Sequence, residues 1–285
     1  MEKKTLVNRV LFILNIIILV VNIVLATKLT GNENETEENT SEQEPISLNI
    51  SSSSSENETT SSGLDDSSIY IKPEKSDFKW TADSTDSKKI IDLEYLSQKN
   101  YPTGCESVTS CMALNYMGYD ISIDTFIDKY LDTYDIVVSN GMSYGEDPNQ
   151  YFIGNPRRTS GYGCFSPVIK RALIKIAGEN SVHDLQGRSI DEMIEKYVSN
   201  GIPVIMWATI GMGDIKYGGT WYISRTSQLY SWLEGEHCLL LAGWDDNNYY
   251  FYDPLSGVVS YNKEIVTKRY REMGGQALAL VKENS

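Results

Sequence analysis

The sequence predicts an α+β domain in which helices come first and an antiparallel sheet closes the chain. Two observations carry most of that reading. After Cys105 the apolar residues Val108, Cys111, Met112, Leu114 and Tyr116 mark a helix with a buried face, and Gly118 stops it. Near the C-terminal end, two apolar stretches at 237–244 and 249–253 flank Asp245-Asp246-Asn247-Asn248, which is the signal of a hairpin.

The remaining elements follow in order. Residues 90–98 read as a short strand that leads into the turn Pro102-Thr103-Gly104, where Gly104 permits tight geometry. Ser122 caps a second helix that runs to about residue 131. Residues 135–160, with Asp147-Pro148 and Asn155-Pro156, read as a long surface loop. Ser166-Pro167 opens a helix by the rule of a capping serine followed by proline, and Gly178 ends it. Ser189 opens another, with Asp191 and Glu192 in its first turn and Gly201 after its end. Residues 202–210 form a buried strand, 262–273 a last helix and 277–281 a last strand.

Composition divides the chain into four parts. Residues 31–71 hold ten Asp and Glu, no Lys or Arg, and the serine run 51–55. So little apolar area cannot offset chain entropy, and 28–88 reads as a disordered acidic linker with a coil dimension of roughly 40 Å. Before it, Lys3, Lys4 and Arg9 form a basic tail at 1–9. The apolar run at 10–27, broken only by Asn15 and Asn22, reads as a signal anchor, the alternative being a signal peptide cleaved near Val24-Leu25-Ala26. The basic flank predicts a cytoplasmic N-terminus, so the domain at 89–283 is expected outside the cell membrane, tethered or secreted. A net charge of −14 argues against nucleic-acid binding, and four cysteines are too few for a disulfide-dense scaffold. No Cys-x-x-Cys or His-x-x-x-His spacing offers a metal site, and Gly211-Met212-Gly213 is too short for a phosphate loop, so no cofactor is expected.

The chemistry concentrates at Cys105. A thiol at a helix start is favoured as thiolate by the helix dipole, so its pKa is expected to be depressed and its alkylation fast. Cys111 and Cys238 read as core, and Cys164 stays open. Only two histidines exist. His183 lies in a polar connection and reads as a surface residue, whereas His237 opens a strand and is the candidate general base. If Gly243 pairs with Tyr249, then Leu241 opposes Phe251, Leu239 opposes Asp253, and His237 shares a face with Asp253. Asp253 is then the orienting carboxylate, with Asp245 and Asp246 as weaker rivals. Gln98, seven residues before the cysteine, and the Cys105 N–H are candidate oxyanion donors. Gln, Cys, His, Asp is the chain order of a papain-like thiol hydrolase.

Several segments support a resemblance to a known family. They are Tyr-Leu-Ser-Gln-x5-Thr-Gly-Cys-Glu-Ser at 95–107, Asp-Pro-x4-Phe-Ile-Gly-Asn-Pro at 147–156 and Ser-Gly-Tyr-Gly at 160–163. Gly-Ile-Pro-Val-Ile-Met-Trp at 201–207, Trp-Leu-x-Gly-Glu-His-Cys-Leu-Leu-Leu-Ala-Gly-Trp-Asp at 232–245 and Tyr-Asp-Pro-Leu at 252–255 complete the set. Residues 91–281 resemble the stand-alone branch of the bacterial double-glycine (bacteriocin-leader) peptidases, papain-like cysteine peptidases of family 39. The resemblance implies a papain-like fold with Cys105 as nucleophile, His237 as base, Asp253 as orienter and Gln98 in the oxyanion hole. It implies a peptide or protein substrate hydrolysed through a thioester. The leader preference of transporter-fused members is not carried over, because this chain has no transporter. Rival readings are a cell-wall peptidoglycan amidase or endopeptidase, and a non-catalytic surface binding module on the same scaffold.

Overall fold

The computed structural model describes residues 88–282, which fall in one compact unit. The basic tail, the anchor or signal peptide and nearly all of the acidic linker lie outside the described residues. Among those described, no helix is long and apolar enough to cross a membrane.

The chain enters through β1 (Lys89–Ile90) and reaches α1 (Cys105–Tyr116) and α2 (Ile123–Lys129). Short strands follow: β2 (Thr133–Tyr134), β3 (Val137–Ser139), β4 (Met142–Gly145) and β5 (Phe152–Ile153). Then come α3 (Ser166–Ala177), β6 (Val182–Asp184), α4 (Ile190–Lys196), β7 (Val204–Thr209) and the pair β8 (Lys216–Ile223) and β9 (Leu229–Glu234). The chain closes with β10 (Glu236–Trp244), β11 (Asn248–Asp253), β12 (Gly257–Asn262), α5 (Lys263–Glu272) and β13 (Ala277–Leu280). The main sheet has the order β12-β11-β10-β7-β13-β6, with β1 on β10, and every pairing in it is antiparallel. The α+β expectation holds.

Local chemistry explains most boundaries. Ser122 Oγ accepts from Thr125 N and Ser189 Oγ from Glu192 N, so both expected caps are made. Asn262 caps α5 through Glu264 N. At α3 the cap position falls on Phe165 rather than Ser166, and Pro167 sits in the first turn, where its missing N–H costs nothing. Gly178 and Gly201 end their segments at φ 87° and 80°, a region hostile to residues with a Cβ.

α1 is buried from Cys105 to Leu114, on its polar face as well as its apolar one. It packs against β10, β7, α2 and α3. Its small polar side chains tolerate this because Thr109 Oγ1 donates to Cys238 O at 3.0 Å and Ser110 Oγ to Glu106 O at 2.6 Å. β7 and most of β10 are buried throughout, as strands covered on both faces require.

Three expectations are corrected. The strand at 90–98 shrinks to β1, and the rest of that segment is irregular. Residues 135–160 are not a surface loop: β4 pairs in parallel with β8, β2 pairs with β5, and Phe152 and Ile153 are fully buried. The partners of β4 and β2 lie far away or are too short to show a pattern, and β8 and β9 were not anticipated at all. His183 is not a surface residue: it lies on β6, half-buried, with Nδ1 3.0 Å from Tyr197 Oη.

Candidate active site

β10 and β11 bring His237 and Asp253 together. Leu241 opposes Phe251 as expected, but Gly243 pairs with Tyr250 instead of Tyr249, because the ladder bulges at Ala242. The bulge accompanies the arrival of β1. Ile91 N–H donates to Ala242 O at 2.8 Å, and a Cβ on Gly243 would stand 2.2 Å from Lys89 O. Parity below the bulge is preserved, and the register ends at Leu240 opposite Tyr252. His237 and Asp253 therefore share a face, and Asp253 Oδ1 lies 2.7 Å from His237 Nε2. Both side chains are buried. Burial alone would raise the Asp253 carboxyl. The bonds from His237 and the Leu255 N–H, with the imidazole's charge, outweigh it and hold the group below the usual carboxylate range. Nε2 is committed to Asp253, which leaves Nδ1 as the ring nitrogen for a substrate-side partner.

Asp245 has another role. Its Oδ1 accepts from Asn247 N at 2.8 Å and Asn248 N at 2.7 Å, and Oδ2 accepts from Tyr250 Oη. It is the turn residue of the hairpin.

Cys105 is the first residue of α1, and no side chain caps the helix there. Its N–H is one of the donors that a helix leaves unpaired at its start. The preceding turn is clamped. Thr103 Oγ1 lies 3.3 Å from Asn155 O and 3.2 Å from Arg158 O, and Thr103 N–H donates to Pro156 O. Gly104 is needed for space rather than for a left-handed backbone: its φ is −106°, and a Cβ there would meet Tyr101 Cβ at 2.8 Å. Gln98 lies beside both halves of the site. Its N–H donates to Pro254 O at 2.9 Å, and Nε2 reaches Pro102 O at a long 3.4 Å. An amide NH2 has two hydrogens, so one donor remains. Gln98 Oε1 is buried with no partner.

The thiol itself faces an unexpected neighbour. Cys105 Sγ makes its hydrogen bond with Glu106 Oε2, at 3.3 Å, and none with His237. Burial, then the carboxyls of Glu106 and Glu236, push the thiol well above its ordinary range. The depressed pKa expected from the helix dipole is thus overturned for this resting arrangement. Low dielectric and two acidic neighbours outweigh a dipole of about half a charge. Glu106 is fully buried, and its Oε1 accepts the Cys164 N–H at 2.5 Å. Cys164 O in turn accepts the Trp207 indole N–H at 3.0 Å, which places the undecided Cys164 in the core. All four cysteines are free.

Cys105, Glu106 and Glu236 offer donor atoms that all lie within 4.8 Å of one another. Spacing alone missed this trio, because Glu236 is 130 residues from Glu106 and only the packing of α1 on β10 joins them.

Glu106 also makes a measurable prediction. Burial pushes its carboxyl up to about 7, against about 4.3 in an unfolded chain. A raised folded-state value gives stability that is complete below about pH 4.3 and lost as pH rises through about 7. Glu106 alone is therefore expected to contribute a gain on the order of 3 kcal/mol to thermal unfolding stability on going from pH 8 to pH 5, and Glu106→Gln should reduce the measured slope by that amount. An unchanged slope in the variant would remove Glu106 as its source.

Comparison with known proteins agrees with this architecture. Residues 90–278 match the model of the peptidase C39-like family. YvpB, an uncharacterized protein of Bacillus subtilis strain 168, is 28% identical over 201 residues, which cover 69% of this chain and 77% of YvpB. A solved structure from Bacillus anthracis, assigned to the C39-like peptidases, aligns with a TM-score of 0.61 at 26% identity over 70% of this chain and all of that one.

Proposed function

Because the chain belongs to the peptidase C39-like family, we propose that it is a cysteine peptidase that cleaves peptide or isopeptide bonds through a thioester acyl-enzyme. The observation that carries this reading is the buried His237–Asp253 pair at 2.7 Å, whose histidine lies on β10, the strand against which the Cys105 helix packs.

The His237–Asp253 pair and the helix-start position of Cys105 support the following roles. Cys105 rotates from Glu106 toward the imidazole and passes its proton to Nδ1 of His237. The thiolate attacks the carbonyl carbon, forming a C–S bond. The oxyanion that develops takes hydrogen bonds from the Cys105 N–H and the remaining donor of Gln98. The C–N bond then breaks, and the imidazolium gives its proton to the leaving amine. Water attacks the thioester, with His237 as base, and releases the acid and the thiol. Asp253 fixes the ring and stabilises it when charged.

The domain works outside the cell membrane, held by the segment at 10–27 on a long acidic linker, as the basic flank and apolar run suggest. Protease shaving of intact cells is expected to release the domain. A domain protected until the cells are lysed would overturn this location.

The identity test is proteomic cleavage profiling of wild type and Cys105→Ala side by side. Neo-N-termini are expected with wild type alone. Equal profiles would reject the cysteine mechanism, and activity confined to purified peptidoglycan would replace the peptidase by a cell-wall amidase.

A further inference from the structure

Cys105, Glu106 and Glu236 stand together without serving the mechanism as a set. One donor atom from each lies within 4.8 Å of the other two, and all three residues are buried. Cys105 Sγ is already 3.3 Å from Glu106 Oε2. Metal–ligand bonds of about 2.0–2.3 Å set tetrahedral donors roughly 3.5 Å apart, so the trio has only roughly 1 Å to close at its widest. Both carboxyls converge over Gly163, where a Cβ would stand 2.7 Å from Glu106 Oε1 and 2.9 Å from Glu236 Oε2. Glycine keeps the space beside them open. A second observation points to a ligand. Glu236 is 7% exposed, and its Oε1 is buried with no hydrogen-bond partner. A buried carboxylate is paired or coordinates a metal, because a bare one is very costly. What acts on Glu236 is burial and the carboxyl of Glu106, with no cationic side chain to answer them. Glu106, by contrast, is held: Oε1 accepts the Cys164 N–H, and Oε2 takes the sulfur.

We propose that Cys105, Glu106 and Glu236 form a binding site for a borderline-soft divalent cation, Zn²⁺, which holds the thiol away from His237 and reversibly silences the peptidase. The donor set selects the metal class. A thiolate disfavours Ca²⁺ and Mg²⁺, which take oxygen ligands, and three protein ligands leave a fourth tetrahedral position for water. On binding, the Cys105 S–H bond breaks and the sulfur's electron pair goes to Zn²⁺. The thiol proton leaves to solvent, as does any proton on the two carboxyls. The sulfur then stays on the Glu106 side, where it neither reaches the imidazole nor attacks a carbonyl. Binding stands on the trio's geometry alone. Its inhibitory consequence rests on Cys105 being the nucleophile.

The test uses the full-length chain, stripped of metal by a chelator and then held at neutral pH in buffered free Zn²⁺. Bound zinc is read by competition with a chromophoric chelator, and the state of Cys105 by iodoacetamide alkylation and peptide mass spectrometry. Wild type is expected to bind one zinc per chain and, when loaded, to be alkylated at Cys105 at least about tenfold more slowly. Glu236→Gln keeps the shape and removes a charged ligand. The zinc concentration that protects Cys105 should then rise at least about a hundredfold, since losing even an outer-shell partner costs about 10–100-fold. His237→Ala should keep protection within a few-fold of wild type, because the imidazole is not a ligand. Absence of zinc protection in wild type overturns the proposal without any variant, and so does equal protection by Mg²⁺. Protection kept in Glu236→Gln but lost in His237→Ala assigns the metal to the thiol and imidazole, which also overturns it. If Glu236→Gln does not fold, loss of protection in His237→Ala decides against the trio. In a cleavage assay zinc should inhibit and chelator restore turnover; cleavage that needs zinc overturns the inhibitory role. Zinc binding and alkylation need no turnover, so their failure is separate from whether Cys105→Ala abolishes cleavage.

Discussion

Cys105→Ala is expected to lower kcat on a peptide substrate by at least about 10⁴-fold, with little loss of stability. The substitution deletes one buried sulfur and leaves no unpaired charge. It also frees the Glu106 carboxyl from its thiol partner while keeping the Cys164 N–H bond at 2.5 Å. His237→Ala should cost a comparable factor, since it removes the imidazole that Asp253 holds in place as the base. The double variant should lose little more than either single, because a nucleophile and its base act as one unit. Steady-state kinetics with circular dichroism as a folding control decides this. Turnover within tenfold of wild type in Cys105→Ala would reassign the nucleophile.

The second large effect is expected at Asp253. This carboxylate bonds His237 Nε2 at 2.7 Å and the Leu255 N–H at 2.8 Å, with the Ser256 side chain as a further support. Asp253→Asn keeps size and one acceptor oxygen, so ring orientation partly survives while support of the imidazolium weakens. Asp253→Ala removes both and leaves a buried imidazole nitrogen unpaired, which costs about 1–3 kcal/mol of stability as well. The expected order of kcat is wild type, then Asn, then Ala, with Cys105→Ala lowest. Asp245→Ala should disturb the hairpin turn and spare kcat, because its bonds all stay within residues 245–250. A crippled Asp245→Ala beside an unaffected Asp253→Ala would show that the third member of the unit is misplaced.

Much of this site is legible in the sequence because its signals are local. Ser122, Ser189 and Asn262 announce helix starts by side chains that bond within their own first turn. The alternation around the 245–248 turn is enough to put His237 and Asp253 on one face, and a bulge at Ala242 changes one pairing without changing parity below it. What was missed depends on partners distant in sequence. β4 has Gly145 beside Ile223 of β8, and Val137 and Val138 of β3 are exposed, so no apolar pattern marks that sheet. The thiol's environment was misjudged for the same reason. Glu106 follows Cys105 directly in sequence, but only the packing of the helix on β10 brings Glu236 to the same sulfur.

The entry strand β1 has a mechanical consequence. Any pull on the chain ahead of residue 88 is resisted first by a ladder two residues long, Lys89 on Trp244 and Ile90 on Gly243, and by the Ile91 bond to Ala242. Next along the backbone, Tyr252 Oη donates to Ile91 O and accepts from the Leu93 N–H, and then the Gln98 N–H holds Pro254 O, beside the Asp253 carboxylate. Traction at this end therefore reaches the residues around Gln98 and Cys105 while β7, β10 and β13 remain zipped together. The edge that carries the candidate site is the weak seam of the domain under load, and the central sheet is its anchor.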